Sequence, residues 1–229
     1  MHQRTIAQLC NRIISFQSGA QRVLVALAGP PGSGKTTLAA QLAREMDERA
    51  GEHVAEVLPM DGFHLDNDRL SALGLLHRKG APETFDVPGF VRLVTEVRND
   101  NGPVRYPTFD RVADKVLPDA QSLGPETRFV IFEGNYLLLQ QGDWAQLREF
   151  FDVTIMLCAD PGKLRERLVA RWLEHGLTAA QAELRADSND MVNVALVQDH
   201  SAKPHLTLIT QADDQIILET TGESTRHAG

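Results

Sequence analysis

Eight consecutive residues, Gly29-Pro30-Pro31-Gly32-Ser33-Gly34-Lys35-Thr36, satisfy the spacing G-x-x-x-x-G-K-[ST]. Glycines at these positions let the backbone wrap so that successive N–H groups face anionic oxygens. A helix beginning at Lys35 adds the partial positive charge of its N-terminus. In such a loop the lysine reaches the β- and γ-phosphates of a nucleoside triphosphate and the threonine hydroxyl is placed for Mg²⁺. The expected nucleotide contacts are Gly29, Gly32, Ser33, Gly34, Lys35, Thr36 and Thr37.

A phosphate loop does not say where the phosphate goes, so the acids and bases elsewhere matter. Met60-Asp61-Gly62-Phe63-His64 follows a strand-like run and puts Asp61 at a carboxyl edge, where open α/β sheets build their sites. A carboxylate there can take the proton of an attacking hydroxyl. The plain reading of Asp61-Gly62 is an Asx-type turn. Phe129-Val130-Ile131-Phe132-Glu133-Gly134 repeats the arrangement, and Glu133 suits a Walker-B-like position ordering Mg²⁺ or its waters. Lys163, Arg167 and Arg171 recur every fourth residue and share one helix face. They form either a solvated basic stripe or a lid that neutralises charge on the transferring phosphate. Two mixed polar and aromatic stretches, 78–86 and 106–111, fit a substrate pocket as well as they fit surface loops. Asn189, Asp190 and Asn193 can serve as polar pocket groups, with Ser188 or Asn189 capping the following helix as the simpler account.

These residues need a scaffold that holds strand ends together. Short β-branched runs alternate with helical patterns, the signature of βαβ units around a parallel sheet. The spacing predicts strands at 22–28, 53–58, 128–132 and 152–157, and helices at 35–49, around 90–97, 161–175, 179–186 and 191–200. A hairpin is expected from 104–109 and 115–117, against the objection of Pro107, and a last strand pair at 205–209 and 215–219. Ile6, Leu9, Ile13 and Ile14 mark an N-terminal amphipathic helix within residues 1–19, ahead of a core over 20–210 and a loose polar tail over 221–229, all in one domain.

Bulk properties narrow the partners. A net charge of −8 over 229 residues disfavours nucleic acid and anionic membranes, and a small-molecule substrate is expected. The two cysteines lie far apart and the first residues lack a continuous apolar run, so a cytoplasmic protein with reduced thiols is expected. The oligomeric state stays open, a homodimer being one option.

Together these residues resemble the phosphoribulokinase, uridine kinase and pantothenate kinase group of P-loop kinases. Within it they are similar to bacterial proteins provisionally labelled nucleoside/nucleotide kinases or fructose transport system kinases. GPPGSGKTT matches the group's phosphate loop, and PMDGFHLDN its DxFx segment, whose aspartate, here Asp61, serves as base. RKGAPETFD looks like the substrate loop, FEGNYLLL the strand end at Glu133, and RERLVARW the arginine-bearing lid with Arg167 and Arg171. The resemblance implies a three-layer P-loop NTPase sandwich, a parallel sheet of order 2-3-1-4-5, a helical lid and a small substrate-binding flap. It implies ATP and Mg²⁺, catalytic Lys35, Asp61, Arg167 and Arg171, and metal contacts at Thr36 and Glu133. The candidate acceptor set is Asp61, His64, Arg78, Lys79, Glu83, Tyr106, Asp110, Arg111 and Asn135.

The lid lacks an RDxxxRG pattern and the base segment reads DGFH rather than DSFY, so the acceptor stays open among a sugar such as fructose, a nucleoside and a pantothenate-like alcohol. Adenine contacts are loosely expected near 210–213. A different class, a nucleotide-switched regulatory or metallochaperone-like NTPase, has the phosphate loop in its favour. The absence of NKxD and LSGGQ segments counts against GTPase and ABC-type forms.

Overall fold

The computed structural model describes residues 3–17, 19, 21–99, 102–211 and 215–219. The expected tail over 221–229 lies outside the described residues, as do residues 212 and 213 of the expected adenine region.

Along the chain run α1 (Gln3–Ile14), β1 (Val23–Ala28), α2 (Lys35–Ala50), β2 (Ala55–Pro59), α3 (Asn67–Ala72), α4 (Val87–Asn99), β3 (Val104–Asp110), β4 (Lys115–Leu123) and β5 (Phe129–Gly134). Then follow β6 (Val153–Ala159), α5 (Pro161–Glu174), α6 (Ala179–Arg185), α7 (Met191–His200), β7 (Leu206–Thr210) and β8 (Ile216–Glu219). The main sheet has the order β2-β5-β1-β6-β7-β8. Its first five strands are parallel, and β8 runs antiparallel to β7 at the edge. Numbered by occurrence, the five parallel strands stand 2-3-1-4-5.

The apolar run of β1 explains its central place, since every residue from Val23 to Ala28 is buried. Strand periodicity divides that run between two cores. Leu24, Ala26 and Ala28 join Phe90, Leu93, Val94 and Val97 of α4 on one face. Val23, Val25 and Leu27 join Ile6, Leu9 and Ile13 of α1 and Leu38, Leu42 and Met46 of α2 on the other. The result is three layers, helix on sheet on helix. Ile14 departs from the predicted apolar stripe of α1 and is exposed.

β3 and β4 form a separate two-stranded sheet. The register slips between Tyr106 and Thr108, at Pro107, which has no N–H to give to a ladder. The second strand continues to Leu123, well past the expected stop at Leu117.

The C-terminal helices correct one expectation. α6 starts with a capping box between Thr178 and Gln181. It then passes through one π turn, Ala186–Asp190, directly into α7. Neither Ser188 nor Asn189 caps a helix there, because the chain stays helical and leaves no free N–H groups for a cap to satisfy.

Candidate functional site: a cleft over the phosphate loop

The phosphate loop joins the buried end of β1 to the first turn of α2. Gly34 takes φ 93°, a left-handed conformation that a side chain strains. A cleft of about 860 Å³ opens above the loop. Of the expected nucleotide contacts, Gly32, Gly34, Lys35, Thr36 and Thr37 line it, while Gly29 and Ser33 do not. Ser33 is buried beneath the loop, with an Oγ that has no hydrogen-bond partner.

Lys35 Nζ stands 3.8 Å from Glu133 Oε1 and donates to the Pro30 carbonyl at 3.4 Å. Burial acts against both charges of this pair. The lysine lies below its ordinary value and the glutamate above its own, each in spite of their mutual attraction. The neighbouring Thr36 hydroxyl, like Lys35, works against that rise of the glutamate.

Sheet register brings the second carboxylate alongside. Pro59 of β2 pairs with Glu133 of β5, and the chain then turns through Met60–Phe63, which carries Asp61 to the same edge. This close approach depends on Gly134. A Cβ there would meet Met60 Cβ at 2.5 Å and Sδ at 2.8 Å. Gly134→Ala is therefore expected to lower stability by about 1–3 kcal/mol. Denaturant unfolding that gives an unchanged free energy would contradict that packing.

Asp61 is ion-paired with Arg111 at 2.8 Å. Beyond it, His64 packs between Phe85 and Phe109, with ring centroids at 4.2 and 4.7 Å. Lys79 is held by Asn67 Oδ1 at 2.6 Å and Asp114 Oδ1 at 2.7 Å. The 76–86 segment is fastened from two sides. Tyr136 Oη donates to the Gly80 carbonyl at 2.6 Å, while Arg185 donates to the His77 and Lys79 carbonyls. Asn189 donates to the Lys79 carbonyl as well, at 3.1 Å.

The cleft thus gathers Asp61, His64, Lys79, Arg111, Glu133, Asn135 and Arg171 with the loop. Other candidates sit elsewhere. Arg167 donates to the Gly32 carbonyl at 3.0 Å and braces the loop from behind. Arg78 turns away to Asn189 Oδ1 at 2.8 Å and Glu83 at 3.3 Å. Tyr106 is buried, with its hydroxyl 3.2 Å from Glu56 Oε1. Asp110 accepts from the N–H groups of Val112 and Ala113 and fixes the hairpin turn. Sequence reasoning did not place Asn67, Asp114, Trp172 or Arg185 in the site, yet all four line it with Asp190 and Asn193. The Trp172–Asp190 hydrogen bond, 2.6 Å, and the stacking of Arg185 on the indole depend on tertiary contacts, while Arg171, the preceding residue of α5, lies over the same ring.

A parallel sheet whose central strand opens into this loop, with two carboxylates at the neighbouring strand ends, defines a P-loop nucleotide site built for phosphoryl chemistry. Comparison with known proteins narrows the class. The AAA domain family matches residues 25–183. A Schizosaccharomyces pombe protein provisionally named a uridine kinase is 36% identical over 208 residues, which is 88% of this chain and 88% of that one. The crystal structure of a Silicibacter sp. TM1040 protein, provisionally named a fructose transport system kinase, is 45% identical with a TM-score of 0.84 and covers 89% of this chain and 98% of that one. Phosphoribulokinase from Rhodobacter spheroides shares the fold at 12% identity, with a TM-score of 0.57 over 83% of this chain and 71% of that one. The chain belongs to the AAA domain family and also to the P-loop kinases of the phosphoribulokinase, uridine kinase and pantothenate kinase group. It is a phosphotransferase.

Proposed function

We propose that the protein transfers the γ-phosphoryl group of ATP to a hydroxyl of a small molecule, a sugar such as fructose, a nucleoside or a pantothenate-like alcohol. The observation that carries this reading is the convergence of Asp61 and Glu133 from neighbouring strand ends on one cleft with Lys35. Asp61 takes the hydroxyl proton as the acceptor oxygen attacks the γ-phosphorus in line, and ADP leaves on the far side. For this Asp61 has to exchange its Arg111 partner for the acceptor. Lys35 and Arg171 stabilise charge on the phosphates.

Thr36 and Glu133 would hold Mg²⁺. Both line the cleft beside the loop, and a small all-oxygen donor set suits a cation that keeps several of its own waters. Bound there, the ion supplies charge neutralisation on the β- and γ-phosphates.

A nucleotide switch without an acceptor requires only the loop. The cleft continues past it through His64, Lys79 and Arg185 and favours a second substrate. Among the described residues no helix is long and apolar enough to cross a membrane. Net charge −8 further supports a small-molecule partner.

The test is a screen of sugars, nucleosides and pantothenate with ATP and Mg²⁺, following ADP release. Release is expected to be slow until the right hydroxyl compound is added. Release that ignores every compound and responds to a protein partner would contradict the reading.

A further inference from the structure

We infer that the acceptor end of the cleft takes an uncharged polyol, which donates a hydroxyl hydrogen bond to His64 Nε2, rather than a carboxylate- or phosphate-bearing alcohol. The inference rests on the kinase reading above and gives its substrate a chemical class.

The first observation is the fixed tautomer of His64. Its Nδ1 lies 2.8 Å from the Asp61 carbonyl oxygen, which can only accept, so Nδ1 carries the hydrogen. In the neutral ring Nε2 is then a lone pair. Burial favours that neutral ring, holding the imidazole below its ordinary value. Phe85 and Phe109 both pack on the ring, tilted by 40° and 37° to it. His64 lines the cleft, and its Nε2 has no protein partner among the described residues. An acceptor atom so placed in the cleft is available to a ligand donor.

The second observation is that the cations at this end are already committed. Setting aside the loop, Glu133 and the Arg171–Asp190 pair, 3.8 Å apart, the cleft carries Lys79, Arg111 and Arg185 beside Asp61 and Asp114. Lys79 has three ammonium hydrogens and three oxygens to receive them: Asn67 Oδ1 at 2.6 Å, Asp114 Oδ1 at 2.7 Å and the Asp114 carbonyl at 3.3 Å. Arg111 is paired with Asp61. Arg185 is engaged by two carbonyls and the Trp172 face. Every acceptor opens the Asp61–Arg111 pair; one bringing a negative charge would in addition draw Lys79 from its oxygens and lie against Asp61 and Asp114, whereas hydroxyl groups find acceptors at Asp61, Asp114 and His64 Nε2.

The test uses the full chain with ATP and Mg²⁺ and matched acceptors: fructose and fructose 6-phosphate, ribose and ribose 5-phosphate, glycerol and glycerate, pantothenol and pantothenate. For the pair that is turned over, kcat/KM is expected to favour the uncharged member by on the order of tenfold or more. Preference for the charged member overturns the inference and leaves the kinase reading standing. Turnover of none of these and of no nucleoside overturns both.

His64→Leu and His64→Gln supply the second arm. Leucine is expected to raise the acceptor KM on the order of tenfold with the ATP KM unchanged, and glutamine, whose carbonyl can accept, to recover part of the loss. An acceptor KM unchanged by leucine, or an ATP KM that moves in parallel with it, counts against the assignment. The ATP KM also reports whether the variant has folded.

Discussion

Asp61→Asn is expected to lower kcat by about 10²–10⁴-fold, the usual contribution of a positioned general base. Asparagine keeps the shape of the side chain and still accepts a hydrogen bond from Arg111, whose guanidinium lies 2.8 Å from Asp61 Oδ2, so the turn at Met60–Phe63 stays in place. It cannot take up a proton. The ATP KM should therefore change little, since Asp61 meets the acceptor rather than the phosphate loop, and the loss should fall on the chemical step. Single-turnover transfer under saturating ATP measures this directly. Undiminished transfer by the asparagine variant would remove Asp61 as the base.

The second large effect is expected at Lys35. Lys35→Met deletes the cation that meets the β- and γ-phosphates, and turnover should fall about 10²–10³-fold or more, as when a single preorganised charge donor is removed. It also strands Glu133, whose side chain is only 6% exposed and whose charge already suffers from burial. Removing one partner of a buried pair costs up to about 3–5 kcal/mol. The loss here should lie at or below the lower end, because the ions are 3.8 Å apart and a cleft opens beside them. The two consequences can be separated. Adding Glu133→Gln to Lys35→Met should return most of the unfolding free energy, which reads the stability cost by itself, with activity still absent because the Mg²⁺ contact is lost as well. Activity recovered along with stability would show that Lys35 serves the fold and not the phosphates.

The parts of the site that depend on a few adjacent residues were legible in the sequence. Eight neighbours from Gly29 to Thr36 specify a backbone shape by themselves, and the strand before them is apolar enough to be placed at the centre of the sheet. Asp61 and Glu133 were readable as strand-end acids because a strand-like apolar run leads into each. What was not legible depends on contacts between distant residues. Arg185 reaches the 77 and 79 carbonyls across more than a hundred residues, and nothing in its own neighbourhood indicates the partner. Arg78 and Lys79 are adjacent and chemically alike, yet one turns to Asn189 and the other faces the cleft. Arg167 and Arg171 share a helix face by spacing, but the loop lies so close to α5 that Arg167 meets the Gly32 carbonyl while Arg171, one turn on, lines the cleft beside Trp172. Asn189 has the composition of a cap and is instead buried in a π turn, satisfied by Arg78 and the Lys79 carbonyl. The bulge at Pro107 was legible as an objection to the hairpin, but the partner strand pairs on both sides of it.

The central claim is that the terminal phosphoryl group goes to a hydroxyl of a second small molecule rather than to water. Following the label from γ-labelled ATP in the presence of the acceptor found by screening tests it most directly. The account predicts one labelled acceptor molecule per ADP formed, with little labelled inorganic phosphate while acceptor is saturating. Label appearing as inorganic phosphate at the same rate with and without acceptor would contradict it.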